Sequence, residues 1–456
     1  MVKKSTIEAV LNKKILKGLK GFASALIIYP IAEHLEKRNI RGKRAELVSH
    51  YKLDFSERKQ IAQNHLVDIL LCAQHSVPYY KDLFKKIDFQ PESLHRDISY
   101  LNELPYLTKD IIREQGERML SQPLSEVRHH ICKTGGSTGL SSFIYYSQEA
   151  ADYAAAVTLF CRAKAGKEKH QDELHFACRF PDTCFHDQWT REDWKCLAMN
   201  RSNIFFDRLD DMGLKEIWQT LLERRPHLIH GHPSTIYALA CYIERVHGKA
   251  KSFNIFEPSG ELLTPYVRET IARVLQCKVV DRYGLAELGV MAYQLNANDD
   301  RLQLLDSEGW PETLQIEGAA LDEQELVLTG FRNKLMPLIR YRTGDLAVIE
   351  HDSTGFFLRN LVGRIHDMVK INGIDHPTHH IQDMLDHRIG GIQEFQIDIR
   401  TSPTVLRVVP ESNANVDDIR NKIQAYWPNG FDVHFVTHDA FVRVGRHAKF
   451  RHVVHP

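Results

Sequence analysis

At 456 residues the chain is too long for one ordinary core, which implies two or three packed units. Its 43% hydrophobic and 26% charged content is that of a soluble globular protein, and 59 basic against 59 acidic side chains exclude the positive excess that a nucleic-acid partner or a polyanion requires. Eight cysteines lie scattered through the chain, mostly within apolar segments, which argues against a secreted disulfide framework and for a reducing, cytoplasmic setting.

Near the N-terminus Ile7, Val10, Leu11, Ile15, Leu19 and Phe22 recur at helical spacing, while Lys13, Lys14, Lys17 and Lys20 line the other face. This pattern predicts a helix packed on the body with its lysines in solvent; a basic helix in peripheral contact with a membrane surface is the alternative. The apolar stretch from Phe22 to Ala32 is 11 residues long and contains Pro30, so it is too short for a transmembrane segment. Residues 57 to 120 read as short helical pieces broken by Pro78, Pro91 and Pro105, and residues 1–120 are assigned to an N-terminal helical accessory layer.

Between residues 121 and 300, strand-like and helix-like segments alternate, which predicts an α/β nucleotide- and acyl-binding core. Its first chemical segment is Thr134, Gly135, Gly136, Ser137, Thr138 and Gly139. Glycines let successive backbone N–H groups converge on an anion and hydroxyls add donors, so a polyphosphate is the natural guest. The spacing is neither a P-loop nor a dinucleotide fingerprint. Read as G-x-S-x-G it suggests a serine hydrolase with Ser137 as nucleophile, but that elbow needs a helix directly after the serine, and Phe143 to Tyr146 reads as a strand.

Further on, Cys178, Cys184 and Cys196 with His175 and His186 suggest a metal cluster whose spacing matches no common zinc pattern. His227, His230 and His232 alternate along a strand, either as satisfied histidines or as lining of an acyl pocket. Ser259, Gly260 and Glu261 close a strand on the edge where open α/β sheets bind ligands. Tyr283 and Gly284 follow a short apolar strand, with Glu287 one loop further: an aromatic able to stack on a purine and a carboxylate able to hold Mg2+ between phosphates.

Residues 301–362 turn to short strands separated by Gly, Asp and Asn, which predicts a β-barrel-like subdomain in which Asp345 follows a turn and can accept ribose hydroxyls. At the boundary with the last unit, residues 363–456, Arg364 could reach ribose or phosphate and Asp367 could serve as a hinge. That last unit reads as a small, mobile α+β module ending in a basic stretch around Lys449.

In this order the segments resemble the adenylate-forming acyl-CoA synthetase superfamily, in its phenylacetate-CoA ligase-like branch. Further branch features are Val77 to Tyr80, Leu104 to Lys109, and Pro233 with Ser234. The resemblance implies that ATP and a small, aromatic or short carboxylic acid give an acyl-adenylate and pyrophosphate, and that a rotation of the C-terminal module then admits a thiol. Coenzyme A is the implied co-substrate, with a carrier protein, an amine or a hydroxyl as alternative acceptors, and a non-catalytic nucleotide-binding protein as a further reading. By position the resemblance assigns Thr134 to Gly139 to the β- and γ-phosphates, Tyr283 to adenine, Glu287 to magnesium, Asp345 and Arg364 to the ribose, Asp367 to the hinge and Lys449 to adenylation catalysis. A homodimer is compatible with it. Two departures stand out: Ser141 and Ser142 replace the usual Pro-Lys after the phosphate loop, and Ala448 precedes Lys449 where glycine is usual.

Overall fold

Helices of the N-terminal region begin where the sequence supplies the missing N-terminal acceptors. Asp54 accepts from the Glu57 amide while Glu57 accepts from the Asp54 amide, a reciprocal cap that opens Phe55–Ser76. Pro78 starts the next helix, Pro78–Ile87, where its missing N–H is no loss. The prolines therefore begin helices as well as ending them. Leu66, Leu70, Phe84 and Phe89 from this region share one core with Trp310, Phe331, Met336 and Tyr341. Polar contacts strengthen the join: the Tyr80 hydroxyl donates to Pro337 O at 3.1 Å and accepts from the Ile339 amide at 3.2 Å. Leu107 pairs in parallel with Tyr341.

The computed structural model describes residues 14–134, 142–178, 189–206, 209–296, 299, 301–315, 324–362, 368–411, 413–437, 440–444, 449–450 and 452–454. Strands His129–Thr134 and Ser142–Ser147 form an antiparallel pair running from His129 opposite Ser147 to Thr134 opposite Ser142. Gly135, Gly136, Ser137, Thr138 and Gly139 lie outside the described residues, between these strands. The strand after the glycine segment removes the strand–serine–helix topology that a nucleophile elbow needs. Helix Gln148–Ala165 starts only at Ser147, whose hydroxyl accepts from the Ala150 amide.

A five-stranded parallel sheet follows, in the order Arg201–Phe206, Glu173–Cys178, Leu228–Gly231, Ile255–Pro258, Lys278–Val279. Helices Asp211–Arg224, Pro233–His247 and Pro265–Leu275 pack with it around Ile229, Phe256, Leu239 and Ile271.

The chain then leaves this sheet. Strands Arg282–Leu285 and Gly289–Tyr293 join Leu302–Leu304, Gly355–Val362, Tyr341–Asp352, Gln324–Gly330 and Gly309–Gln315 in one seven-stranded antiparallel sheet. Four strand spacings, about 19 Å on a flat sheet, separate Arg282–Leu285 from Tyr341–Asp352. Side chains from these two strands nevertheless meet, so the sheet curls into a half-barrel.

One expectation is corrected here. Asp345 does not follow a turn between strands; Tyr341–Asp352 is a single 12-residue strand that runs through it. Opposite the two-residue step from Glu325 to Val327, this strand spends four residues from Arg342 to Leu346, a bulge in which Gly344 takes φ +77°. The glycine that reads as a turn signal serves the bulge instead.

The last module places Asp432–Phe435, Val405–Pro410, Ile392–Asp398 and Val453–Val454 in one sheet, covered by Thr378–Met384 and Val416–Tyr426 around Phe395, Leu406 and Ile423.

Candidate active site

The curled sheet brings three sequence segments together. The Tyr283 hydroxyl donates to Asp345 Oδ2 at 2.9 Å, and the Tyr341 hydroxyl donates to Glu287 Oε1 at 2.9 Å. Lys109 Nζ stands 3.0 Å from the same Glu287 oxygen. Asp345 and Glu287 are both buried, so each carboxylate needs these partners to replace the water it has lost. Burial pushes the Glu287 carboxyl up, but Lys109 and the hydrogen bonds outweigh it and hold the group below the ordinary range. Burial first, then the Asp345 charge, push the Tyr283 phenol well above its ordinary value and keep its donor proton in place.

Lys109 is the residue that sequence reasoning left without a role. A signal for it existed: it is the first residue of helix Lys109–Gln115, directly after the Thr108 cap. The helix dipole disfavours a cation there, so a lysine in that place implies a carboxylate nearby.

Tyr283 packs its ring in the core with Met291, Leu302 and Leu326. Gly284 is required by close approach, since a side chain there would meet the Gly289 carbonyl at 2.9 Å. Ser259, Gly260 and Glu261 follow the parallel strand Ile255–Pro258, as expected for a ligand edge. Glu261 takes two hydrogen bonds from Ser234, from the amide and from the hydroxyl, each 2.8 Å, which pins this edge to the start of helix Pro233–His247. Gly260 has φ +79° and the His232 ring against it, so a methyl there would come within 2.5 Å of that ring.

The other two histidines of the alternating set part company. His227 Nε2 contacts the Gly166 carbonyl at 3.0 Å. His230 belongs to a buried charge cluster, with Nδ1 2.9 Å from Glu257 Oε1. Arg162 bridges Glu257 and Glu173 at 2.7 and 3.0 Å, Lys167 contacts Glu173 at 2.5 Å, and the Tyr293 hydroxyl donates to Glu257 at 2.7 Å. Burial opposes ionisation of both glutamates, yet Arg162 and its neighbours hold them well below the ordinary range. The His230 imidazole is driven down to about 4, by burial against the pull of Glu257, and is neutral at pH 7.

A narrow cavity opens beside Glu287, walled by Tyr146, Ala150, Ala154, Val157 and Leu288. Thr134 ends its strand next to the glycine segment. Arg364 and Asp367 lie outside the described residues. The backbone of Lys449 pairs with Val444 in a two-residue hairpin strand of the last module. Among the described residues no cluster of His, Cys, Asp and Glu could hold a metal ion, and Cys184 and His186 lie outside them.

No model of a known protein family matches the chain. It is 24% identical over 301 residues to Protein CapK of Staphylococcus aureus, covering 64% of each chain, and 23% identical over 414 residues to the phenylacetate-coenzyme A ligase of Escherichia coli, covering 83% of this chain and 92% of the ligase. The match to CapK therefore spans less than two thirds of that relative's length. A crystal structure of 2-hydroxyisobutyryl-CoA ligase, in complex with its acyl-AMP and CoA, superposes with a TM-score of 0.53 at 20% identity, covering 88% of this chain and 90% of the other. In sequence the chain is thus similar to the phenylacetate-coenzyme A ligases, and in fold to 2-hydroxyisobutyryl-CoA ligase.

Proposed function

We propose that the protein activates a small carboxylic acid with ATP, releasing pyrophosphate and forming an acyl-adenylate, and then transfers the acyl group to a thiol such as coenzyme A. The observation that carries this reading is the convergence of Tyr283, Asp345, Glu287 and Lys109, from three distant segments, at one edge of the half-barrel. Asp345 would accept the ribose hydroxyls, with the Tyr283 hydroxyl fixing its orientation, and Tyr283 and Gly284 would border the adenine. Thr134 to Gly139 would cradle the terminal phosphates, and Ser259 to Glu261 would close the nucleotide edge. Arg364, Asp367 and Lys449 are proposed as the ribose contact, the hinge and the cation that moves in with the C-terminal module.

A magnesium ion fits Glu287 by its donor chemistry. The group is an ionised oxygen ligand, and a cation, the Lys109 ammonium, already stands against it. When bound with ATP, the metal would neutralise phosphate charge; Lys109 would then be available to the phosphates.

Ala150 and Ala154 leave a small space beside Glu287, walled by Val157 and Tyr146 on one side and by the polar Glu308, Arg332 and Asn333 on another, which supports a small acid. ATP–pyrophosphate exchange against a panel of aryl, short-chain and hydroxy acids, with and without coenzyme A, tests the proposal. Exchange that depends on one acid class supports it and names the substrate. ATP binding without exchange for any acid would overturn it in favour of hydroxyl adenylylation or of a non-catalytic binding protein.

A further inference from the structure

The N-terminal helical run, Lys14–Ala23 and Tyr29–Leu35 joined through Ser24–Ile28, carries its polarity reversed. Lys17, which the sequence places in solvent, points into the body: its ammonium donates to the Arg224 and Arg225 carbonyls at 2.7 Å each and lies 3.1 Å from Asp172. Gly21 also faces inward, where any side chain would collide with the His170 carbonyl. Ser24, Tyr29 and Glu33 are buried on that side.

Outward, by contrast, stand Leu19, Phe22, Leu26, Ile27, Ile31 and Leu35, each 52 to 74% exposed, Phe22 with one face of its ring stacked on His170 at 4.5 Å. Their spacing of three, four, one, four and four residues makes a single stripe along the run, about 24 Å long at 1.5 Å per residue. The expectation of an apolar face packed on the body with lysines in water is thus corrected for the described part of this helix. A continuous stripe of large apolar side chains marks a surface that something else covers.

We propose that this stripe seats the protein on an anionic membrane surface, with the helical run lying in the interfacial plane. Among the described residues no helix is long and apolar enough to cross a membrane, which leaves the in-plane arrangement. Charge selects the partner. The first 44 residues hold eleven lysines and arginines against three glutamates and no aspartate, in a chain that is neutral as a whole. Arg38, Arg41 and Lys43 are paired with Asp152, Glu33 and Glu149; counted over the sequence, the segment keeps eight more basic than acidic side chains. Anionic headgroups complement such a segment, whereas a second copy about a two-fold axis would set it against its own like charge.

The test uses the full chain, sedimented with vesicles of pure phosphatidylcholine or of equimolar phosphatidylcholine and phosphatidylglycerol. Two variants change outward residues alone: Leu26→Glu with Ile27→Glu, and Ile31→Ser with Leu35→Ser. Wild type is expected to sediment with the anionic vesicles, about tenfold less with the neutral ones or in high salt. Each variant is expected to stay in the supernatant with an unchanged circular-dichroism spectrum. Wild type that ignores both vesicle types overturns the proposal, as does equal binding by the folded variants. A dimer that the variants dissociate, without vesicle binding by wild type, would assign the stripe to a second copy instead. The inference is independent of the ligase reading, since its readout is sedimentation and not catalysis.

Discussion

The Tyr283 hydroxyl and the Asp345 carboxylate meet at 2.9 Å although their strands lie four places apart in the seven-stranded sheet. The bond crosses the curled sheet, so one interaction both ties two strands that are not neighbours and orients the carboxylate. Tyr283→Phe removes the donor and leaves a buried carboxylate with one partner fewer, at a cost of about 1–3 kcal/mol. The variant is expected to show that loss in chemical denaturation and to raise the KM for ATP more than it lowers kcat. An unchanged KM with unchanged stability would remove Tyr283 from the positioning of Asp345.

Glu287 is buried and Lys109 largely so, and removing one partner of a fully buried pair costs about 3–5 kcal/mol, an upper bound here. Because the folded Glu287 carboxyl is held below its ordinary value, its contribution is present above the unfolded pKa, near 4.3, and is lost as pH falls through the folded value. Lys109→Met takes away the cation that most opposes burial, leaving the backbone and Tyr341 hydrogen bonds against it, which raises the folded pKa. The acid unfolding transition of the variant is therefore expected at higher pH than that of wild type, measured by fluorescence across an acid titration. Coincident transitions would show that Lys109 does not hold the charge of Glu287.

These residues also show what the amino-acid order discloses. Glu287, Tyr283 and Asp345 are legible because each sits beside glycines and aromatics in a recognisable segment. Their mutual contacts are not, because curling of the sheet is a property of seven strands together and no local pattern encodes it. Gly344 reads as a turn for the same reason: a glycine with positive φ serves a turn or a bulge equally well, and only the pairing partner, Glu325 to Val327, distinguishes them. The N-terminal stripe was legible as periodicity, but which face turns inward depends on Asp172 and on the carbonyls of Arg224 and Arg225, more than 150 residues away.

If Lys449 is the cation delivered to the reacting phosphate and carboxylate, Lys449→Ala should abolish most adenylation while leaving ATP binding nearly intact. Loss of one such stabilising charge lowers kcat by about 10²–10³. Exchange assays and ATP titration of the same preparation separate the two effects. Exchange at the wild-type rate would exclude this lysine, and a parallel loss of ATP binding would make it a ground-state contact.

The cluster around Glu257 sets a pH dependence of stability distinct from that of the carboxylates. His230 is neutral in the folded chain down to about 4, whereas in the unfolded chain it takes up a proton near 6.5. Between these values the unfolded state binds the extra proton, so stability rises with pH across this window and falls on acidification from about 6.5 toward 4. Each such proton contributes a slope of at most about 1.4 kcal/mol per pH unit. His175 and His65 are also lowered, chiefly by burial, and add to the same slope. His230→Gln should therefore make the slope shallower without removing it, as read from denaturation midpoints at several pH values between 7 and 5. A slope identical to that of wild type would mean that His230 is already protonated beside Glu257 in the folded state, and the neutral assignment would fall.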